Sequence, residues 1–264
     1  MDSIRLESVS KIFRHRPALF GWLGREKRGQ TRALEEISLH VPAGSVLALL
    51  GPNGSGKTTL LKLISTMLLP DAGRVLIGDE DTRRAGPAIR QRVAFANTGE
   101  RSFFPRLSAR ENLDFFSALD NVPRQRRAER IRELLHETGL SEHADTLVMK
   151  FSSGMCQRLG IARALVKQPS VILLDEPTRS LDPASAEEFW KLVQRFRDRG
   201  ATIVVATHNF EEAAALADSI ALLQAGRLAD YRDLHRTSTR ALRSWYFDVT
   251  GQLDALPIVA GGWQ

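Results

Sequence analysis

Gly51-Pro52-Asn53-Gly54-Ser55-Gly56-Lys57-Thr58-Thr59 is the stretch from which the rest of this 264-residue chain is read. It fits the pattern G-x-x-x-x-G-K-[ST]. It follows Ser45 to Leu50, a short, mostly apolar run of strand length, and precedes Leu60, Leu61, Leu63, Ile64, Met67 and Leu68, which recur at helical spacing up to Pro70. In that strand-loop-helix setting Gly51, Gly54 and Gly56 let the backbone turn back, so that successive N–H groups and the helix N-terminus face one anion. The natural anion is the β-phosphate of a nucleotide. Lys57 then reaches the β- and γ-phosphates as a point charge, the Thr58 hydroxyl ligates the accompanying Mg²⁺, and Thr59 makes a weaker phosphate contact.

Outward from the loop, Ile4 to Phe13 and Ala33 to Val41 read as strands, the second closed by Pro42-Ala43-Gly44. Asp71-Ala72-Gly73 reads as a turn into a strand over Arg74 to Ile77, and Arg92 to Ala96 as a further strand. From Gly99 to Lys167 the pattern is helical. Ser108-Ala-Arg-Glu111 has the form of a capping box opening a helix through Leu119, Arg124 to Thr138 is a charged helix stopped by Gly139, and Ser153 starts a third that ends before Pro169. Val171 to Leu174 and Ala201 to Thr207 are apolar runs suited to buried parallel strands. The helix between them starts at Asp182-Pro183, buries Ala186, Phe189, Trp190, Val193 and Phe196, and stops at Gly200. Ile220 to Leu228 reads as a hairpin around Ala225-Gly226, while the tail from about Thr237 carries no clear signal.

Composition excludes several classes. No apolar run approaches the roughly 20 residues that span a bilayer, Cys156 has no partner for an intrachain disulfide, and no metal-ligand cluster is spelled out. Met1 to Ser10 lacks the apolar core of a secretory signal, which points to a cytoplasmic location. Much of the net charge of +6 is local: Lys11, Arg14, Arg16, Arg25, Lys27, Arg28 and Arg32 stand against Glu26 around Leu19, Phe20, Trp22 and Leu23. Such a segment suits a membrane surface or a partner, and equally a solvated surface insertion.

The apolar run Val171 to Leu174 ends in Asp175-Glu176. A buried strand delivering two acids at its C-terminal end suits Mg²⁺ coordination by Asp175, with Glu176 placed to accept a proton from an attacking water.

Phe151-Ser152-Ser153-Gly154-Met155-Cys156-Gln157-Arg158 resembles the signature of the ATP-binding subunits of ABC transporters, in a variant with Met after the glycine. The resemblance covers about residues 1–235 and implies an α/β fold: a P-loop NTPase, RecA-like core with an antiparallel β subdomain and an inserted helical signature subdomain at about 99–167. It leaves the basic insertion at about 14–32 and the tail 236–264 without a role. Ser153, Gly154 and the helix N-terminus offer a hydroxyl, bare amides and a positive dipole end to a phosphate; in the family this patch meets the γ-phosphate held by an opposite subunit, so the resemblance implies a head-to-tail dimer, expected to be a homodimer, with two ATPs between subunits. Ser180-Leu181-Asp182 resembles the loop that crosses that interface and reads equally as a helix cap. His208 resembles the family's switch histidine. Phe13 takes the place of the aromatic that stacks on adenine, the alternative being a core phenylalanine.

One motif departs from the family. Asn97-Thr98-Gly99-Glu100-Arg101-Ser102 holds no glutamine where one is usual, and Gly99 stands nearest that position. Phe103, Phe104, Pro105 and Leu107 form either an apolar surface for a membrane subunit's coupling helix or packing within the helical block. The resemblance thus implies Mg²⁺-dependent ATP hydrolysis, with Lys57, Glu176 and His208 as the catalytic set, powering export through separate integral membrane permease subunits. The chain is expected at the cytoplasmic face of the cell membrane as a peripheral subunit, with the ABC-2 exporters as the most similar class. A soluble ABC ATPase acting on nucleic acid or ribosomes is the rival that the basic balance raises. Such chains carry two ATPase units or a long coiled coil, so no nucleic acid partner is expected.

Overall fold

The structure, a computed structural model, describes residues 1–14, 30–97, 103–179, 181–234 and 237–251. Most of the basic stretch at 14–32, Gly99 and Glu100, Ser180 and the end of the tail lie outside these residues. In chain order the elements begin with β1 (Ile4–Arg14), β2 (Gln30–Val41), β3 (Val46–Leu50), α1 (Lys57–Ile64), β4 (Ala72–Ile77), β5 (Glu80–Asp81), α2 (Gly86–Arg92) and β6 (Val93–Asn97). Then come α3 (Ala109–Leu119), α4 (Arg124–Glu137), α5 (Ser153–Leu165), β7 (Val171–Asp175), α6 (Pro183–Asp198) and β8 (Thr202–Ala206). The chain continues through α7 (Phe210–Leu216), β9 (Ser219–Gln224), β10 (Arg227–Asp233) and α8 (Thr239–Thr250).

The strands form two sheets, an antiparallel four-stranded one in the order β2-β1-β4-β5 and a six-stranded one in the order β10-β9-β3-β8-β7-β6. Every residue of β3, β7 and β8 is buried, as parallel strands covered on both faces must be. Successive side chains leave a strand on opposite faces. Accordingly Ile172, Leu174, Ile203 and Val205 pack with Leu113, Leu134 and Leu159 of α3, α4 and α5, together with Phe189 and Val193 of α6. Val171, Leu173, Val204 and Ala206 pack on the other side with Leu6, Ile37 and Val75 of the four-stranded sheet and Leu61 of α1.

Several local expectations need correction. The helix after the loop stops at Ile64: Thr66 takes a positive φ of 63° and Met67 is 56 % exposed, so spacing alone carried the helix too far. Ala72 and Gly73 already belong to β4. Helix α2, opened by Gly86-Pro87, was not expected. On α6 Leu192 is buried and Trp190 only half-buried, with its indole N–H turned inward to donate to Glu212 Oε1 at 3.3 Å. The capping box is as read: Ser108 Oγ accepts from Glu111 N at 3.2 Å, and Glu111 Oε2 accepts from Ser108 N at 2.7 Å.

The unassigned tail supplies α8. Ser238 caps it, Gly251 ends it, and Leu242 and Trp245 are buried against Ala213 of α7 and Leu222 of β9. Trp245 Nε1 donates to Asp230 Oδ2 at 2.8 Å, and Tyr246 packs edge-on against Phe210 at 5.2 Å between ring centroids. Trp245→Ala is expected to cost about 3 to 5 kcal/mol, lowering the midpoint of thermal unfolding by on the order of 10 °C. An unchanged melting curve would mean that α8 unfolds apart from the rest.

Candidate active site

Three strand ends converge. Leu49 of β3 pairs with Ala206 of β8, and Ala206 pairs with Asp175 of β7, so these residues lie in one row across the sheet. The residues that follow them, Gly51 onward, Glu176 and Thr207-His208, therefore leave the sheet along the same edge. That is the edge where ligands bind in open α/β folds. Asn97, the last residue of β6, is paired with Asp175 in the same row.

The loop after β3 needs its glycines for space as well as for torsion. A Cβ at Gly51 (φ 151°) would lie 2.2 Å from the Leu223 carbonyl oxygen, and one at Gly56 (φ 109°) 2.8 Å from that of Ala33. Gly56 is also the N-cap of α1, so no side chain caps the helix, and its first turn holds no acidic residue. The free N–H groups and the positive dipole end are thus left for an anion. Ser55 Oγ is buried beside them without a hydrogen-bond partner. Lys57 is buried and donates to the carbonyls of Gly51 at 2.6 Å and Pro52 at 3.1 Å. Burial holds its ammonium below the usual lysine range, an effect that the charges of Glu176 and Asp175 oppose.

Facing the loop, Thr58 Oγ1 donates to Asp175 Oδ2 at 2.8 Å. Burial raises the Asp175 carboxyl above the usual range, while the Thr58 hydrogen bond and the nearby Lys57 and Lys62 pull it back. Glu176 adopts φ 52°, a left-handed conformation costly for a side-chain-bearing residue, and is held there by Glu176 N donating to Ala206 O at 2.8 Å. His208 Nδ1 stands 2.6 Å from Glu176 Oε2. Lys57, Thr58, Asp175, Glu176 and His208 are therefore drawn into one site.

Other candidates gather elsewhere. Ser152 caps α5 by accepting from Met155 N at 3.2 Å, leaving Ser153 exposed at the first turn. A Cβ at Gly154 would meet Leu181 at 3.3 Å, so the start of α5 abuts the loop before α6. In that loop Asp182 Oδ1 accepts from Ser185 N at 3.0 Å as the N-cap of α6. Arg158 binds Ser185 and Glu188 and ties the two helices together. Among the described residues no hydrogen bond joins this group to the loop 51–59. Phe13, near the end of β1, is 37 % exposed. Phe104 is exposed, and Phe103, half-buried, lines a cavity of about 700 Å³ together with Pro105, Met149, Phe151 and Gln157. Gly99 and Glu100 lie outside the described residues. Glu212 was missed: it lies four residues before buried Leu216, a spacing that puts it on the inward face of α7.

A family model described as "ABC transporter" matches residues 34–179. The daunorubicin resistance ATP-binding protein DrrA3 of Streptomyces coeruleorubidus is 39 % identical over 78 % of this chain and 65 % of its own length. The ABC transporter ATP-binding protein NatA of Bacillus subtilis is 34 % identical over 77 % and 82 %. The daunorubicin/doxorubicin resistance ATP-binding protein DrrA of Streptomyces peucetius is 38 % identical over 75 % of this chain and 60 % of its own length. The chain thus spans less than two thirds of the length of two of these three relatives. Among solved structures, the dimeric, post-hydrolysis ATP-binding cassette MJ0796 bound to ADP and Pi superposes with a TM-score of 0.77 at 28 % identity, covering 88 % of this chain and 99 % of that one. The fold, the converging strand ends and these matches agree: the chain belongs to the ABC transporter family and has the ABC ATPase fold.

Proposed function

We propose that the chain hydrolyses ATP and that the energy drives export of a substrate through separate integral membrane permease subunits. The observation that carries the reading is the single row of strand ends that puts the uncapped, glycine-shaped loop beside Thr58, Asp175, Glu176 and His208. Loop amides and Lys57 bind the β- and γ-phosphates, and Phe13 stacks on adenine through its exposed ring. A hydroxyl and a carboxylate oxygen 2.8 Å apart, Thr58 Oγ1 and Asp175 Oδ2, are the hard oxygen donors that Mg²⁺ prefers. Mg²⁺ bound there neutralises charge on the phosphates. Glu176 accepts the proton of the attacking water, and His208, at hydrogen-bond distance, fixes the orientation of its carboxylate.

Ser153, exposed, and Gly154, half-buried, at the start of α5 complete the site of a second copy in a head-to-tail homodimer. Two ATPs held between subunits close that dimer, and hydrolysis releases it. The cassette occupies 1–235, with 99–167 as its helical subdomain. No described helix is long and apolar enough to cross a membrane, which is consistent with a peripheral subunit held at the cytoplasmic face by its permease. The drug-resistance names of DrrA3 and DrrA support export as the direction.

Affinity purification of the tagged chain from gently solubilised native membranes tests the assignment. A stoichiometric multi-span membrane protein is the expected companion. Recovery only from the cytosol, with ribosomes or nucleic acid, would overturn the export reading.

A further inference from the structure

Glu212 has no solvent-exposed surface, and among the described residues no other carboxylate is sealed so completely. Its partners are few. Trp190 Nε1 of α6 donates to Oε1 at 3.3 Å, Oε2 has no hydrogen-bond partner, and the buried hydroxyls of Thr178 and Thr207 lie beside the carboxyl. A half-satisfied buried acid costs stability, and for folding alone an apolar side chain would serve better here. What distinguishes the position is the set of elements it touches. Thr207 immediately precedes His208, and its N–H donates to Leu49 O of β3 at 3.1 Å. Thr178 follows Glu176 by one turn of loop and accepts from Leu181 N at 3.0 Å, directly before Asp182. Trp190 belongs to the helix that Asp182 caps.

We propose that Glu212 is a positioning residue for hydrolysis: its carboxyl braces the loop after β7 against the loop after β8 and so sets the 2.6 Å contact between Glu176 and His208. The proposal rests on the reading of Glu176 and His208 as the hydrolytic pair. Apart from this brace, Glu176 N to Ala206 O is the hydrogen bond that joins the start of one loop to the end of the other strand. That bond fixes the Glu176 main chain at the strand end, and Arg179 N donating to Glu176 O at 3.3 Å closes a turn within the same loop. Burial pushes the Glu212 carboxyl above the ordinary range, which the two hydroxyls and the indole N–H only partly oppose. Glutamine, similar in shape, keeps an oxygen that can accept from Trp190 Nε1 in the same pocket.

The test is phosphate release by the purified full-length chain with Mg²⁺ and ATP, read in single turnover so that slow variants are measurable. Glu212→Ala is expected to lower the hydrolysis rate about 10- to 100-fold, as a small displacement of catalytic groups does, with the KM for ATP changed by less than about threefold. Glu212→Gln is expected to stay within about threefold of the parent. In a His208→Ala background the added Glu212→Ala change is expected to cost less than about threefold, since the contact it supports is already gone. Should Glu212→Ala not fold, Thr178→Val removes one braced hydroxyl and is read in the same two backgrounds. An unchanged rate for Glu212→Ala, or the same fold-loss with and without His208, would overturn the proposal. Normal turnover by Glu176→Gln would instead sink the hydrolytic pair itself, and this proposal with it.

Discussion

Glu176→Gln is expected to slow ATP hydrolysis about 10²- to 10⁴-fold while ATP still binds and the dimer accumulates in its closed form. The amide has the shape of the carboxylate and can still accept from His208 Nδ1, but it cannot take a proton from water. The loop, Lys57 and the Thr58–Asp175 pair are untouched, so the binding half of the site persists. Size-exclusion chromatography with light scattering, with and without ATP, reads the trapped dimer, and a phosphate-release assay reads the rate. Turnover at the parent rate would remove Glu176 from the base role.

Lys57→Ala is expected to act on the other half, weakening ATP binding by about 100-fold or more through loss of charge-assisted bonds to phosphate. The Lys57 ammonium is buried against the carbonyls of Gly51 and Pro52, and the nearby charges of Glu176 and Asp175 oppose the effect of that burial on it. Removing it leaves the Asp175 carboxyl more strongly raised, since Lys57 is among the charges that now pull it down. Isothermal titration with ATP and Mg²⁺ checks the affinity. Binding within a few-fold of the parent would place the phosphate elsewhere. The two variants separate cleanly: Glu176→Gln loses rate and keeps affinity, Lys57→Ala loses affinity first.

Local chemistry explains which features are legible in the sequence. The capping box at Ser108 and Glu111, the stop at Gly139 and the turn at Ala225-Gly226 are decided by a few neighbouring residues, and the fold keeps each of them in place. Val171 to Leu174 and Ala201 to Thr207 announce buried parallel strands because neither holds a charged residue and each carries an unbroken apolar stretch. The end of α1 is not legible, since Met67 fits the helical period yet is exposed once Thr66 turns the chain. Helix α8 carries its signals, Ser238 as cap, Leu242, Trp245 and Val249 at helical spacing, and Gly251 as stop, but they are weak without the α7 surface on which it packs.

By itself the sequence determined the phosphate loop, the acids at the end of a buried strand, the signature stretch and hence the family, because each depends on residues contiguous in the chain. Only the tertiary structure decided which of these meet. Parallel pairing in register carries Asp175 to Thr58 and Glu176 to His208, while Ser153, Gly154 and Asp182 are gathered at a different place on the same subunit. It also decided the place of Glu212, whose charge gives it the look of a surface residue and whose burial follows from the packing of α7 against α6 and the loops after β7 and β8. Contacts between residues distant in the chain depend on strand order and register, and neither is written in any short stretch of sequence.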